Sequence, residues 1–247
     1  MRQSFMFPCA ILCGGLATRL RPVTEKIPKS LLPVNGEPFI AHQLRLLRSR
    51  GIDQIVLCAG YLGEMIQNFV GDGTQFGMRV SYSFDGEQLL GTAGAIRKAL
   101  PLLSEAFFVL YGDSYLTCEY REIAGAFMRA NKPALMTIYR NEGQFDSSNV
   151  EAEGGLIIRY DKHDATPGMH HIDYGLGVFS RSVFEALPPG EARDLARVYQ
   201  DLLCTGDLAS YEIKDRFYEI GSPQGIRDLE RFLLETRVHA GQELKIG

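Results

Sequence analysis

The stretch ILCGGLATRLRPVTEKIPKSLLPV, residues 11–34, places four cations (Arg19, Arg21, Lys26, Lys29) behind a glycine pair, Gly14 and Gly15. Prolines at 22, 28, 33 and 38 exclude a continuous helix and fix φ at each position. A stiffened loop holds Arg19 and Lys29 in place, and a polyphosphate is the ligand that uses fixed cations. A solvated basic loop would explain the charges but not the rigidity, nor the LLPV run that anchors the loop to the core. The glycines let backbone N–H groups approach a ligand with no Cβ in the way. The stretch is not a G-x-G-x-x-G fingerprint, because the third glycine and a helix directly after it are missing. Nor is it a Walker A loop, since no glycine precedes Lys29-Ser30. No Ser-His-Asp or Cys-His arrangement offers a nucleophile.

A second candidate is EQLLGTAG, residues 87–94. Gly91 and Gly94 permit close approach, while Glu87, Gln88 and Thr92 offer hydrogen bonds to a base. A strand-to-helix connection with Thr92 as its N-cap is the competing reading, and the two are compatible. Asp113 follows Gly112 at the end of an apolar run, the edge where ligands collect in an open α/β sheet.

The elements that must hold these residues alternate. CAILC (9–13), QIVLCA (54–59), MRVSYSF (78–84) and AFFVLYG (106–112) read as strands. Between them, 38–50, 62–70 and 92–103 repeat apolar residues at helical spacing. Such alternation predicts βαβ units and a mostly parallel sheet with helices on both faces. Strands at 133–140, 148–153, 155–161 and 171–180 then crowd together, which predicts a small antiparallel elaboration. Helical patterns return at 192–203 and at 222–236, the latter opening on Ser222-Pro223. With no repeat and no linker, residues 1–247 read as a single domain.

Composition narrows the classes. A net charge of −4 argues against a general nucleic-acid binder. No apolar run is long enough to span a bilayer, and MRQSFMFPCAILCGG is too short in its apolar part for a signal peptide, which predicts a cytoplasmic protein. The five cysteines lack a C-x-x-C and read as small buried hydrophobes. His163, His170 and His171 lie in DKHDATPGMHHID, which reads as a solvated loop rather than a metal site.

Taken together the motifs resemble the sugar-1-phosphate nucleotidyltransferases, whose signature runs L-A-G-G-x-G-T-R-L-x-P-x-T…P-K-x-L-L-P-V. The resemblance continues through LLGTAGAI (89–96), VLYGDSY (109–115), RYDK (159–162), DYGLGVF (173–179) and FYEIGSP (217–223), and so covers nearly the whole chain. It implies a Rossmann-like, GT-A-type α/β fold with a mixed, mostly parallel central sheet. It implies attack by a sugar 1-phosphate on the α-phosphorus of a nucleoside triphosphate, with Mg²⁺ as cofactor and pyrophosphate released. The phrasing is most similar to guanylyltransferases acting on heptose or mannose 1-phosphate, hence GTP. Uridylyl- or cytidylyltransfer to another sugar 1-phosphate is the alternative within the class. An inactive nucleotide-sugar-binding regulatory protein is the alternative outside it, and a nicotinamide-dependent oxidoreductase lacks its glycine fingerprint.

The resemblance also assigns roles. Arg19 would hold the departing phosphates, Lys29 the α-phosphate, and Lys162 the phosphate of the sugar. Leu12, Gly14, Gly15, Glu87, Gly91, Thr92 and Gly112 would surround the nucleotide. Asn149, Asp161 and Asp173 would contact the sugar. Asp113 and Glu219 would hold the metal, Glu219 standing where the family has aspartate. Two further departures are Cys13 for alanine, a packing change, and Ala17 for the glycine before Thr18-Arg19. Alanine there limits φ to negative values unless strain is stored.

Overall fold

The computed structural model describes residues 6–15, 17 and 20–243, with side chains to residue 236. The four early apolar runs form parallel strands β1 (Cys9–Leu12), β4 (Gln54–Ala59), β5 (Arg79–Phe84) and β6 (Ala106–Tyr111). Between β1 and β4 the chain makes a small hairpin, β2 (Pro33–Val34) and β3 (Glu37–Pro38). Its Asn35-Gly36 turn has φ of 48° and 80°, the positive pair that such two-residue hairpins require. Helices α1 (Phe39–Ser49), α2 (Gly63–Val70) and α3 (Gly91–Ala99) carry the crossovers.

Strand β1 lies between β4 and β6, with β5 outside β4. The chain leaves β1 toward β4 and later returns to its other side as β6, so a topological switch point opens at the carboxyl end of β1. Alternate strand residues serve the two faces. Ile11, Leu57 and Phe108 pack on one side with Leu44 of α1, while Ala10, Val56 and Val109 pack on the other with Ile96 of α3. Burial on both faces is why β1, β4 and β6 are almost continuously apolar, whereas β5 at the edge alternates.

The later chain extends the same sheet. After β7 (Ser114–Leu116) and α4 (Tyr120–Ala130) come β8 (Ala134–Arg140), β9 (Val150–Glu153), β10 (Leu156–Tyr160) and β11 (His171–Ser180). β11 runs antiparallel between β6 and β8, so the antiparallel part joins the middle of the sheet rather than decorating an edge. Helices α5 (Arg181–Glu185) and α6 (Leu195–Thr205) lead to β12 (Leu208–Ile213), which pairs parallel with β8. β13 (Phe217–Glu219) pairs with β7, and α7 (Pro223–Glu243) follows. Ser222 caps α7 as expected, its Oγ accepting from Gly225 N at 2.9 Å. His171 is the first residue of β11, not part of a solvated loop. No helix among the described residues is long and apolar enough to cross a membrane.

Candidate active site

The carboxyl ends of β1, β4, β5 and β6 surround a cavity of about 290 Å³. Its floor is tied together beyond the last strand pairs, because Gly112 N donates to the Leu12 carbonyl at 2.9 Å and Cys13 N to the Cys58 carbonyl at 2.9 Å. The two glycines after β1 separate in role. A Cβ on Gly14 would stand 2.7 Å from Gly60 N, so this glycine serves the chain's own packing. A Cβ on Gly15 would meet nothing within 4 Å among the described residues, so Gly15 leaves the space in front of it open. Ala17 takes the strained option, with φ of 46°. Its carbonyl is held by Leu20 N at 3.1 Å and the buried Thr24 hydroxyl at 2.8 Å. Arg19 lies outside the described residues.

The rest of the basic loop delivers Lys29. Pro28 precedes a single 3-10 turn, Lys29–Leu31, from which Lys29 Nζ reaches Asp113 Oδ2 at 2.5 Å. Asp113 occupies the turn between β6 and β7, and two clamps fix that turn. The buried Gln43 of α1 donates from Nε2 to the carbonyls of Ser114 (2.7 Å) and Tyr111 (3.3 Å). Ile220 N donates to the Asp113 carbonyl at 3.0 Å, while Glu219 pairs with Ser114 across β13 and β7.

Glu219 therefore stands beside Asp113. Its Oε2 accepts from Gly221 N and its Oε1 from the Ser222 hydroxyl. Burial holds its carboxyl above the usual range and Asp113 adds to that, against the Gly221 N–H and Lys29, which act the other way. Lys29 bonds Asp113 and acts on Glu219 through space, so among the described residues two carboxylates face one ammonium. These are hard oxygen donors suited to Mg²⁺. Among the described residues no set of three or more His, Cys, Asp or Glu forms a metal cluster, so water and phosphate oxygens would complete the shell.

On the opposite wall the structure departs from the expected base contact. Glu87 and Gln88 are exposed and do not line the cavity; Asp85 does, just past β5. Asp85 Oδ2 accepts from Leu90 N at 3.2 Å, and burial raises its carboxyl. Gly91 and Thr92 line the cavity too, but their neighbours explain them otherwise. A Cβ on Gly91 would meet the Arg193 carbonyl at 2.7 Å, and one on Gly94 the Glu191 carbonyl at 2.5 Å. The close approach is thus made by the chain itself. Ala93 N donates to that same Arg193 carbonyl at 2.9 Å, so the start of α3 is already occupied. Thr92 does not cap α3; its Oγ1 accepts from Leu195 N at 2.6 Å at the start of α6, whose N-cap is Asp194.

The sugar-side residues gather around Tyr111, which also lines the cavity. Lys162, just past β10, donates to the Tyr111 hydroxyl at 3.0 Å. Asp173 Oδ2 accepts from the hydroxyls of Tyr111 (3.2 Å) and Tyr160 (3.1 Å). Asn149 Oδ1 accepts from Asp173 N at 2.9 Å, which leaves its amide N–H groups for a ligand. Asp161 Oδ1 is committed to the backbone N–H groups of His163 and Asp164, and these bonds lower its pKa. Only its other oxygen is open to a sugar hydroxyl. Asp85, Gln43 and Tyr111 are additions to the sequence reading. The strand-end rule that selects Asp113 also selects Asp85, whereas Gln43 leaves no sequence signal.

The cavity, the fixed lysine and the paired carboxylates sit at the switch point of an open α/β sheet, and the comparisons give the class. The profile of the Nucleotidyl transferase family matches residues 9–236, and the chain belongs to that family. A UTP–glucose-1-phosphate uridylyltransferase of Synechocystis is 30% identical over 225 residues, covering 84% of this chain and 58% of that protein. The chain thus spans less than two thirds of the length of that relative. A D-glycero-α-D-manno-heptose 1-phosphate guanylyltransferase of Campylobacter jejuni is 26% identical, covering 92% of this chain and 98% of its own. Among solved structures, HddC from Yersinia pseudotuberculosis complexed with GMP-PN superposes with a TM-score of 0.77 at 22% identity, over 92% of this chain and all of that one.

Proposed function

We propose that the protein, acting as one domain, transfers a nucleoside monophosphate from a triphosphate to a sugar 1-phosphate, forming a nucleoside diphosphate sugar and releasing pyrophosphate. The observation that carries this reading is the convergence of Lys29, Asp113 and Glu219 at the switch point, with Lys162 beyond Tyr111. The attacking phosphate has a second pKa of about 6 and is largely dianionic at neutral pH, so no general base is needed. The obstacle is repulsion between two polyanions, and catalysis consists of positioning and positive charge. Lys29 neutralises the α-phosphate, Arg19 holds the departing phosphates, and Lys162 holds the sugar phosphate. Asp113 and Glu219 would hold a Mg²⁺ ion, which when bound would supply further positive charge against the phosphates. The open oxygen of Asp161, the Asn149 amide and Asp173 orient the sugar.

GTP is the favoured triphosphate. An ionised Asp85 only accepts hydrogen bonds. Guanine presents two adjacent donors, N1–H and N2–H, whereas uracil presents one N–H between two carbonyl oxygens that would repel the carboxylate. The relatives include both a heptose 1-phosphate guanylyltransferase and a glucose-1-phosphate uridylyltransferase, so the choice rests on Asp85. Pyrophosphate release in Mg²⁺, with GTP, UTP, CTP and dTTP each set against mannose, heptose and glucose 1-phosphates, tests the proposal. Turnover with GTP and a mannose or heptose 1-phosphate is expected. Nucleotide binding without turnover in any pairing would favour a non-catalytic nucleotide-sugar-binding protein.

A further inference from the structure

The Lys162 side chain extends from an exposed loop, and among the described residues it forms no ion pair. What holds it is Tyr111. The ammonium sits 4.7 Å from the centre of the Tyr111 ring, and it also donates to the ring's hydroxyl at 3.0 Å. That hydroxyl in turn faces Asp173 Oδ2 at 3.2 Å and donates to it. The carboxylate is itself fixed, by the Tyr160 hydroxyl on Oδ2 and by Gly175 N on Oδ1 at 3.0 Å. A phenol that donates to a carboxylate is a better acceptor for an ammonium N–H, because bonds in such a chain polarise one another. The hydroxyl is therefore the main hold on the lysine, whose ammonium lies past the ring edge on the hydroxyl side.

A lysine side chain carries about 2 kcal/mol of rotamer entropy, and a free one would lose it on binding a phosphate. A lysine already held loses less. Tyr111 is rooted in the rigid sheet, its backbone paired with Leu12 of β1, whereas Lys162 is not. We propose that Tyr111 is a positioning residue for the sugar-1-phosphate step, holding the Lys162 ammonium at the cavity mouth through a Lys162–Tyr111–Asp173 chain. This rests on the reading of Lys162 as the sugar-phosphate contact. Tyr111 also lines the cavity at the end of β1, so among the described residues it belongs to both groups.

The test is a double-mutant cycle on the full chain, with KM measured for each substrate and thermal melting as a check on folding. Tyr111→Phe keeps the ring and removes the hydroxyl, so KM for the sugar 1-phosphate should rise about tenfold, the worth of one hydrogen bond to a charge. KM for GTP should rise less, because the ring that lines the cavity is kept. Tyr111→Leu removes the ring as well and should raise the sugar 1-phosphate KM further. In a Lys162→Ala background, Tyr111→Phe should have no additional effect on that KM. Full additivity of the two substitutions, or equal losses for both substrates, would overturn the positioning role. If Lys162→Ala itself leaves the sugar 1-phosphate KM unchanged, the assignment of Lys162 fails and the proposal falls with it.

Discussion

Lys29 Nζ and Asp113 Oδ2, 84 positions apart in sequence, meet at 2.5 Å across the switch point. The contact ties the basic loop to the strand end that carries the metal-type carboxylate. Removing the ammonium leaves Asp113 and Glu219 facing each other as like charges. Lys29→Met should lower kcat by about a hundredfold, the scale of losing one charge-stabilising group. Affinity for Mg²⁺ without nucleotide, measured by calorimetry, should rise because the competing cation is gone. Unchanged kcat would remove Lys29 from the chemistry.

Glu219 gives a pH-dependent prediction in metal-free protein. Its carboxyl titrates above the ordinary 4.5 in the folded state, chiefly because it is buried. Folding therefore favours the protonated form, and this group's contribution to stability is lost as pH rises from 4.5 through the raised value. Glu219→Gln removes the titration while retaining an acceptor for Gly221 N. The melting temperature of the variant minus that of wild type should be small near pH 4 and grow toward pH 7. A difference that shrinks with rising pH would show that Glu219 is stabilised as the anion.

Gln43 holds the two carbonyls that flank the Gly112-Asp113 turn. Gln43→Met keeps the volume but leaves both acceptors without the buried donor. The expected loss is about 1–3 kcal/mol of stability by denaturant unfolding. A fall in kcat should accompany it, with KM for GTP changed less, because the turn rather than the base wall moves. Unaltered stability would mean that water replaces the amide.

The glycine pair can be split by alanine. Gly14→Ala drives a Cβ to 2.7 Å from Gly60 N and should lower the melting temperature by several degrees. Gly15→Ala meets nothing within 4 Å among the described residues, so it should melt like wild type while KM for the triphosphate rises. The reverse ordering would show that Gly15 is the structural glycine.

The parallel half of the fold is legible because its strands are buried on both faces. AFFVLYG predicts a strand over 106–112, and Ala106–Tyr111 forms one. Tyr120–Ala130 carries a regular apolar stripe, Tyr120, Ile123, Ala124 and Phe127, and is legible by the same helical spacing although the sequence reading passes over it. Leu208–Ile213 and Phe217–Glu219 are strands because β8 and β7 offer them edges, a fact about distant sequence. The same holds at the site. Lys29 and Asp113 are legible from their own surroundings, a stiff loop and a strand end. Gly91, Gly94 and Thr92 look like ligand contacts until the 191–195 segment folds against them. Asp85 is overlooked because Glu87, two residues on, lies nearer the glycines in sequence, whereas the bend after β5 turns Glu87 outward.

The most direct test of the account asks which phosphorus is attacked. GTP labelled at the α-phosphate, and separately at the γ-phosphate, is incubated with the protein, Mg²⁺ and mannose or heptose 1-phosphate, and the products are separated. Attack at the α-phosphorus predicts α-label in the nucleoside diphosphate sugar and γ-label in pyrophosphate. Label from the γ-position on the sugar, or released as free phosphate, would contradict nucleotidyl transfer at this site.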